Sequence, residues 1–160
     1  MTESNPQHST ERSLPPASPA LAPHLCIGGA KQGIAFYERA FGARVRYLQE
    51  TPDGKVLHAD LQLPNGGIFF LCDEFPEMGG RTPQALGGTP VTLHLELADV
   101  DAAWRRALEA GAKVEMELAD QFWGARYGVL SDPFGYRWSL ATQKRSVPSE
   151  ELDAAAKKLG

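Results

Sequence analysis

The sequence lacks the features that mark membrane-spanning, nucleic-acid-binding and disulfide-stabilised proteins. It contains no apolar run of about 18 residues, the length that a membrane-spanning helix needs. Its 16 Lys and Arg residues are outnumbered by 20 Asp and Glu residues and form no basic stripe, so we expect no nucleic acid partner. Only two cysteines occur, Cys26 and Cys72, and both lie in apolar runs. We expect both thiols to be free and to face the helices. We also expect a cytoplasmic protein with no membrane partner.

The first residues lack what a folded or targeting segment requires. Residues 1–19 are rich in Ser, Pro and charged side chains, which predicts a disordered tail and no secretory signal. The rest of the chain is long enough to bury a core without disulfides or metals. We divide the chain into a tail at 1–19, a first module at 20–74, a linker at 75–90, a second module at 91–145 and a C-terminal helix at 146–160, with 20–145 forming one structural domain.

The first module shows the order strand, helix and three strands. A short apolar strand at 22–27 is followed by a helix whose apolar side chains recur at helical spacing and whose expected stop is Gly42. The pair Asn65-Gly66 is a strong hairpin signal between the last two strands. Three strand candidates follow the helix, at 44–49, 55–63 and 67–72.

The second module repeats this order. A strand at 91–97 alternates between apolar and polar side chains, and a helix at 100–110 follows, with Asp99 as its cap and Gly111 as its stop. Three strand candidates come next, at 113–117, 124–131 and 136–142. In the C-terminal segment, Ser149 is the expected cap of a short helix that docks on the body or on a partner subunit.

The two modules also match in residue content. The segment 24–27 corresponds to 94–97, since both begin with His-Leu, and the segment 41–45 corresponds to 110–114, since both contain Gly-Ala. Self-similarity at a single period indicates a duplicated βαβββ unit.

Local motifs support a family assignment. They are Ile34-x-Phe36-Tyr37-x-x-Ala40-Phe41-Gly42-Ala43, His58-Ala59, Asp73-Glu74, Phe122-Trp123-Gly124 and Asp132-Pro133-Phe134-Gly135-Tyr136-x-Trp138. With the doubled βαβββ order, the chain resembles the glyoxalase/bleomycin-resistance/dioxygenase (vicinal oxygen chelate) superfamily over residues 21–145, and its PhnB-like branch in particular. The resemblance implies an α+β fold in which two tandem βαβββ modules form a curved mixed sheet around a cavity. It also implies a homodimer, in which a long linker permits modules to be exchanged.

The resemblance does not extend to the metal site. Catalytic members of the superfamily hold a divalent metal with four side chains from the first and last strands of each module. Here those positions fall on Ala22, Leu71, Thr92 and Ser139. Methyl and isobutyl groups supply no ligand atom, and isolated hydroxyls are weak ligands. We therefore expect no metal and no cofactor.

The same positions indicate which side chains line the cavity. The inward-facing set is His24, Phe69, Asp73, His94, Glu96, Arg137 and Ser139, with His58 on a neighbouring strand and Phe122, Trp123 and Tyr127 near the mouth. A purely structural interpretation stays open for each of them. The histidines and Arg137 would then pair with Asp73 or Glu96, and the aromatic pair would plug the cavity rim or an interface.

Two functional hypotheses follow. The first is a metal-independent small-molecule-binding protein whose organic ligand contacts His24, His58, Phe69, Asp73, His94, Trp123, Tyr127, Arg137 and Ser139. The alternative is a metal-dependent lyase, isomerase or dioxygenase-type enzyme with a shifted site made of His24, His94 and a carboxylate. The missing ligand quartet favours the first hypothesis. A structural or regulatory protein whose own side chains fill the cavity is a third possibility.

Overall fold

Two βαβββ modules build the molecule, and each forms its own four-stranded mixed sheet. The structure, a computed structural model, describes residues 16–159. Most of the predicted tail, at 1–15, lies outside the described residues. The predicted α+β fold of two tandem modules is confirmed. No helix in residues 16–159 is long and apolar enough to cross a membrane.

The first module has the predicted order of elements. They are β1 (His24–Ile27), α1 (Ala30–Phe41), β2 (Arg44–Glu50), β3 (Val56–Gln62) and β4 (Ile68–Asp73). In the sheet order β1-β4-β3-β2, β1 lies parallel to β4 and the other pairs are antiparallel. Helix α1 ends at Gly42, whose φ of 69° is a left-handed conformation that glycine adopts without a steric penalty.

The predicted linker contains structure of its own. A 3₁₀ turn covers Pro76–Met78, and a short helix, α2, covers Pro83–Leu86. The Thr82 side chain is buried and accepts a hydrogen bond from the Ala85 N–H at 3.2 Å, so it caps α2. This segment packs against both modules, since Thr82 N–H bonds to Glu74 and Gln84 bonds to the Pro133 carbonyl.

The second module repeats the first. Its elements are β5 (Thr92–Glu96), α3 (Val100–Ala110), β6 (Lys113–Asp120), β7 (Ala125–Ser131) and β8 (Arg137–Gln143), with sheet order β5-β8-β7-β6. The predicted ends of α3 are confirmed. The Asp99 carboxylate accepts from Ala102 N–H at 3.0 Å, and Gly111 has a φ of 113°.

The last helix, α4 (Ser149–Ala156), differs in detail from its prediction. Ser149 is not the cap, because Pro148 occupies the cap position and no side chain bonds the free N–H groups. The helix buries none of its residues. An ion pair at 2.9 Å between Arg145 and Glu151 connects the helix to the segment before it, and such an exposed pair stabilises little.

A single core lies between the two sheets. The ring of Trp138 in β8 lies 4.9 Å from that of Phe41 in α1 and 5.7 Å from that of Phe69 in β4. Helices α1 and α3 pack against each other beside these rings. Because side chains alternate across a strand, the opposite side of each sheet faces away from this core. Those outer sides carry His24 in the first sheet and His94 in the second.

The buried carboxylate of Asp132 joins the modules. One oxygen accepts from the Tyr37 hydroxyl of α1 at 2.6 Å and from the Trp138 indole N–H at 2.8 Å. The other accepts from the backbone N–H groups of Phe134 and Tyr136, both at 2.9 Å. Burial raises the pKa of Asp132, and the four donors oppose that shift. Burial also raises the pKa of Tyr37 far above its ordinary value, so this hydroxyl stays a donor.

Replacement of this carboxylate should destabilise the fold more than removal of one of its donors. We expect Asp132→Ala to lower the free energy of unfolding by about 2–6 kcal/mol, because two buried side-chain donors lose their acceptor at about 1–3 kcal/mol each. The control Tyr37→Phe removes one donor and leaves Trp138 paired, so its cost should be about 1 kcal/mol. Urea unfolding at neutral pH measures both. Equal losses in the two variants would contradict the central role of Asp132.

Candidate functional site

The pairing of β1 with β4 decides which side chains share the outer side of the first sheet. His24 lies opposite Phe70, and Cys26 lies opposite Cys72. Paired residues on neighbouring strands point to the same side of a sheet, so these four side chains stand together. His58 and Asp60 in β3 share that side, because Asp60 pairs with Phe70.

The prediction that Phe69 projects from this side with His24 is wrong, whereas Asp73 does line a cavity together with His24. Phe69 is buried in the shared core, with its ring 5.2 Å from that of Tyr37. The Asp73 carboxylate accepts from Ala30 N–H at 2.8 Å and from Val56 N–H at 2.7 Å. It therefore holds the start of α1 against β3, and both its oxygens are engaged. The inward alternation of β4 is offset by one residue from the one that the superfamily pattern implied.

A cavity of about 450 Å³ opens on this outer side, and we call it the first cavity. It is lined by His24, Cys26, Leu57, Cys72, Asp73, Phe75, Met78, Gly79, Gly80, Arg81 and Tyr136. The lining combines β1 and β4 with the predicted linker and with one residue of the second module. The linker is thus a wall of the cavity as well as a connection.

The two cysteines face the first cavity, so the prediction that they face the helices is wrong. Both thiols are free. Burial raises the pKa of the Cys26 thiol to about 11, with smaller contributions from Cys72 and nearby carboxylates. Burial also raises the pKa of Cys72. Both groups are therefore protonated at neutral pH and are poor nucleophiles.

Four rings, which we call the first aromatic cluster, cover the same side of the sheet. They are His24, Tyr47, His58 and Phe70. The ring of His58 lies 4.9 Å from Phe70, 5.6 Å from His24 and 6.3 Å from Tyr47. Burial, followed by the neighbouring His58, lowers the pKa of His24. A neutral imidazole presents one donor and one acceptor to a ligand.

Sequence reasoning missed Tyr136 and the linker as parts of the site. The Tyr136 hydroxyl accepts from Cys26 N–H at 2.9 Å and donates to the Cys26 carbonyl at 3.0 Å. Burial raises its pKa to about 12, so the donated proton is retained. The available signals were the position of Tyr136 within the 132–138 motif and the Gly79-Gly80 pair, which permits close approach of the chain.

The second sheet brings five other predicted residues together on its outer side. His94 Nδ1 lies 2.8 Å from the Ser139 hydroxyl, and its Nε2 lies 3.4 Å from the Glu96 carboxylate. The ring of Tyr127 stacks on His94 at 6.2 Å and contacts Trp123 at 5.5 Å. We call His94, Phe122, Trp123 and Tyr127 the second aromatic cluster.

Arg137 has a structural partner. Its guanidinium pairs with the Glu115 carboxylate on β6 and donates to the Thr92 hydroxyl at 3.1 Å. The structural alternative of an ion pair is thus realised, but with Glu115 in place of Asp73 or Glu96. Arg137 lies on the outer side of the second sheet, and its charge is already balanced there.

His24 and His94, one from each cluster, line different cavities of the chain. His94 lines a smaller cavity of about 200 Å³ with Pro23, Asn65 and Trp138, and His24 is not among its lining residues. Within residues 16–159, no three His, Cys, Asp or Glu side chains are grouped to hold a metal ion. The shifted metal site of His24, His94 and a carboxylate is thus not formed by the described part of one chain.

The side chains at the superfamily's usual metal positions do not fit a divalent ion. Leu71 is fully buried on the core side of β4, and it offers no donor atom. Ser139 is buried, and its hydroxyl is engaged with His94. We therefore derive no chemistry that passes through a metal at these four positions.

Comparisons with known proteins agree with this architecture. The model of the Glyoxalase/Bleomycin resistance protein/Dioxygenase superfamily matches residues 21–140. The Mycobacterium bovis protein Mb0911c is 50% identical over 145 residues, which cover 89% of this chain and 95% of that protein. The X-ray structure of the Arabidopsis thaliana At5g48480 gene product has a TM-score of 0.61 at 31% identity and covers 78% of this chain and 99% of its own.

A more distant structure supports the fold alone. The PhnB protein of Bacillus cereus has a TM-score of 0.56 at 21% identity, and the match covers 78% of this chain and 99% of that one. The chain thus belongs to the glyoxalase/bleomycin resistance/dioxygenase superfamily, with PhnB-like proteins among its structural neighbours.

Proposed function

We propose that the protein is a metal-independent binding protein for a small organic molecule with an aromatic portion, held in the first cavity. The observation that carries the proposal is the cavity of about 450 Å³, which is lined by the rings of His24, Phe75 and Tyr136. His24 also belongs to the first aromatic cluster, so that cluster adjoins the cavity. This volume lies within the range of small-molecule sites, about 300–1,000 Å³. Aromatic walls favour flat ligands, because offset-stacked and edge-to-face contacts add to simple burial.

The polar groups around the cavity support binding more than turnover. His24 has a lowered pKa and offers neutral hydrogen-bonding atoms, while Asp73 has no free carboxylate oxygen. Both thiols hold their protons at neutral pH. A general base needs a free acceptor in reach of the ligand, and His24 is the candidate that meets this condition. We place the protein in the cytoplasm, where reducing conditions keep Cys26 and Cys72 as thiols.

We also propose a homodimer. Four apolar side chains on the outermost strands are more than a third exposed, namely Val45 and Leu48 on β2 and Val114 and Met116 on β6. Exposed apolar side chains on edge strands favour association. If the second aromatic cluster of one chain covered the first cavity of its partner, His24, His58, His94, Trp123 and Tyr127 would surround one ligand.

Ligand binding should depend on the first aromatic cluster. We expect one or more aromatic fragments to raise the melting temperature, as preferential binding to the folded state requires. Phe70→Ala should weaken binding of that fragment about tenfold, the value of one lost aromatic contact, and the control Leu108→Ala, at an exposed position on α3, should retain the affinity. Thermal shift followed by calorimetry in EDTA measures these effects. Affinity that vanishes in EDTA, or that is unchanged in Phe70→Ala, would contradict the proposal.

The pH dependence of the free energy of unfolding should reflect the protonation of His24. Its folded-state pKa is lowered, so the unfolded chain binds more protons as pH falls through the ordinary histidine range. The wild type should therefore lose stability over that range, and His24→Phe, which cannot titrate, should show a smaller loss. Urea unfolding of both proteins at several pH values between neutral and mildly acidic tests this. A larger pH dependence in the variant would refute the assignment.

The homodimer has a direct test. Size-exclusion chromatography with light scattering should give twice the chain mass for the wild type. Met116→Glu and Leu48→Glu place a charge on the proposed interface and should shift the protein towards the monomer, because a buried unpaired charge is costly. Leu159→Glu, at an exposed residue beyond α4, is the control. A monomeric wild type would rule out the dimer.

A further inference from the structure

The first cavity contains a feature that the proposed function does not use. Cys26 and Cys72 are direct partners on parallel strands, whose backbones lie about 4.8 Å apart. The two thiols are close enough to influence each other's pKa, and the Cys26 Sγ also lies 3.9 Å from the Asp73 carbonyl. Two sulfur atoms therefore stand side by side on the wall of a cavity.

The other side chains around the two cysteines either carry soft ligand atoms or are already hydrogen-bonded. His24, two residues before Cys26 on the same side, and the thioether of Met78 line the same cavity. The nearby carboxylates have other partners. Asp73 binds two backbone N–H groups, and Glu74 binds Thr82 N–H at 3.2 Å and lies 3.9 Å from the Arg81 guanidinium.

The linker passes close to the Cys26 sulfur atom. A methyl group on Gly80 would lie 3.5 Å from the Cys26 Sγ, at ordinary contact distance. The glycine therefore leaves a space of about one side-chain carbon beside the sulfur. This space opens into the cavity rather than into the core.

We propose that Cys26 and Cys72 form a binding site for a soft monovalent cation of the Cu(I) class. Thiolate and thioether donors select Cu(I), and hard oxygen donors, which magnesium and calcium require, are engaged elsewhere. On binding, each thiol gives its proton to solvent and two sulfur–copper bonds form. Copper enters and stays monovalent, so no oxidant or reductant takes part.

The number of ligands adds to this selectivity. Structural zinc sites use four ligands, and residues 16–159 contain no group of three His, Cys, Asp or Glu residues arranged for a metal. The inference goes beyond organic-ligand binding and does not depend on it.

The experiment is an anaerobic competition between the full-length reduced protein and a chromophoric Cu(I) chelator. We expect one Cu(I) per chain, with a thiolate-to-copper band in the ultraviolet. Cys26→Ser and Cys72→Ser should each lower the affinity for Cu(I) by about 100-fold or more. Loss of a residue that only hydrogen-bonds a metal ligand already costs up to about 100-fold, and loss of a ligand itself should cost at least as much. Leu159→Ala, at an exposed residue outside this cavity, is the control and should bind like the wild type. Circular dichroism checks the fold of each variant.

Two further measurements use the unmutated chain. Blocking both thiols with a methylthiolating reagent should abolish retention of copper. Affinity should also rise with pH, by about tenfold per pH unit for each proton released. The titratable and charged groups near the pair are His24, Asp73, Glu74, Arg81 and Tyr136, and any copper bound by a thiol-blocked sample measures their contribution.

Three results would overturn the inference. They are no competition for copper by the wild type, copper retained equally by the serine variants, or zinc bound by the same cysteines as tightly as Cu(I). Organic fragments are tested in copper-free protein and copper is tested without fragments. Failure of either binding activity is therefore distinguishable from failure of the other.

Discussion

The arrangement of the whole molecule depends on the acceptor capacity of one carboxylate. Asp132 receives four donors, two from side chains and two from its own turn. Without it, the Tyr37 hydroxyl and the Trp138 indole N–H would be buried without partners. Because the same carboxylate fixes the turn that leads into β8, it also sets the position of Tyr136. The wall of the first cavity therefore depends on a network whose other end lies in the core between the modules.

Alternation along single strands separates the core from the site. In β4, Phe69 and Leu71 pack inward while Phe70 and Cys72 line the opposite side. In β8, Trp138 packs into the core and Ser139 contacts His94. A shift by one residue in either strand would move the core side chains to the outer side and the outer side chains into the core. The register of the sheets therefore determines which side chains line the cavities. The outer sides belong to different sheets, which explains why the two aromatic clusters are separate within one chain.

The sequence predicted the fold far better than the site, and the reason lies in where each signal comes from. Helix α3 was bounded correctly because its cap Asp99 and its stop Gly111 are local features. The face of β4 was not predictable, since residues 68–72 are all apolar and lack alternation. Its inward side is set by pairing with β1, more than 40 residues earlier. The sequence identifies 75–90 only as a linker, because its Gly and Pro content hides a four-residue helix and the packing of Met78 to Arg81 on the cavity.

The hydroxyl of Tyr136 has a consequence for how the chain behaves among other chains. Strand β1 lies at the edge of its sheet, and the N–H and carbonyl of Cys26 point outward from that edge. Both groups are bonded to the one hydroxyl. An incoming extended peptide would need these two groups to add itself as a fifth strand. Tyr136, from the second module, thus occupies the edge of β1 and prevents other chains from adding to the sheet there and aggregating.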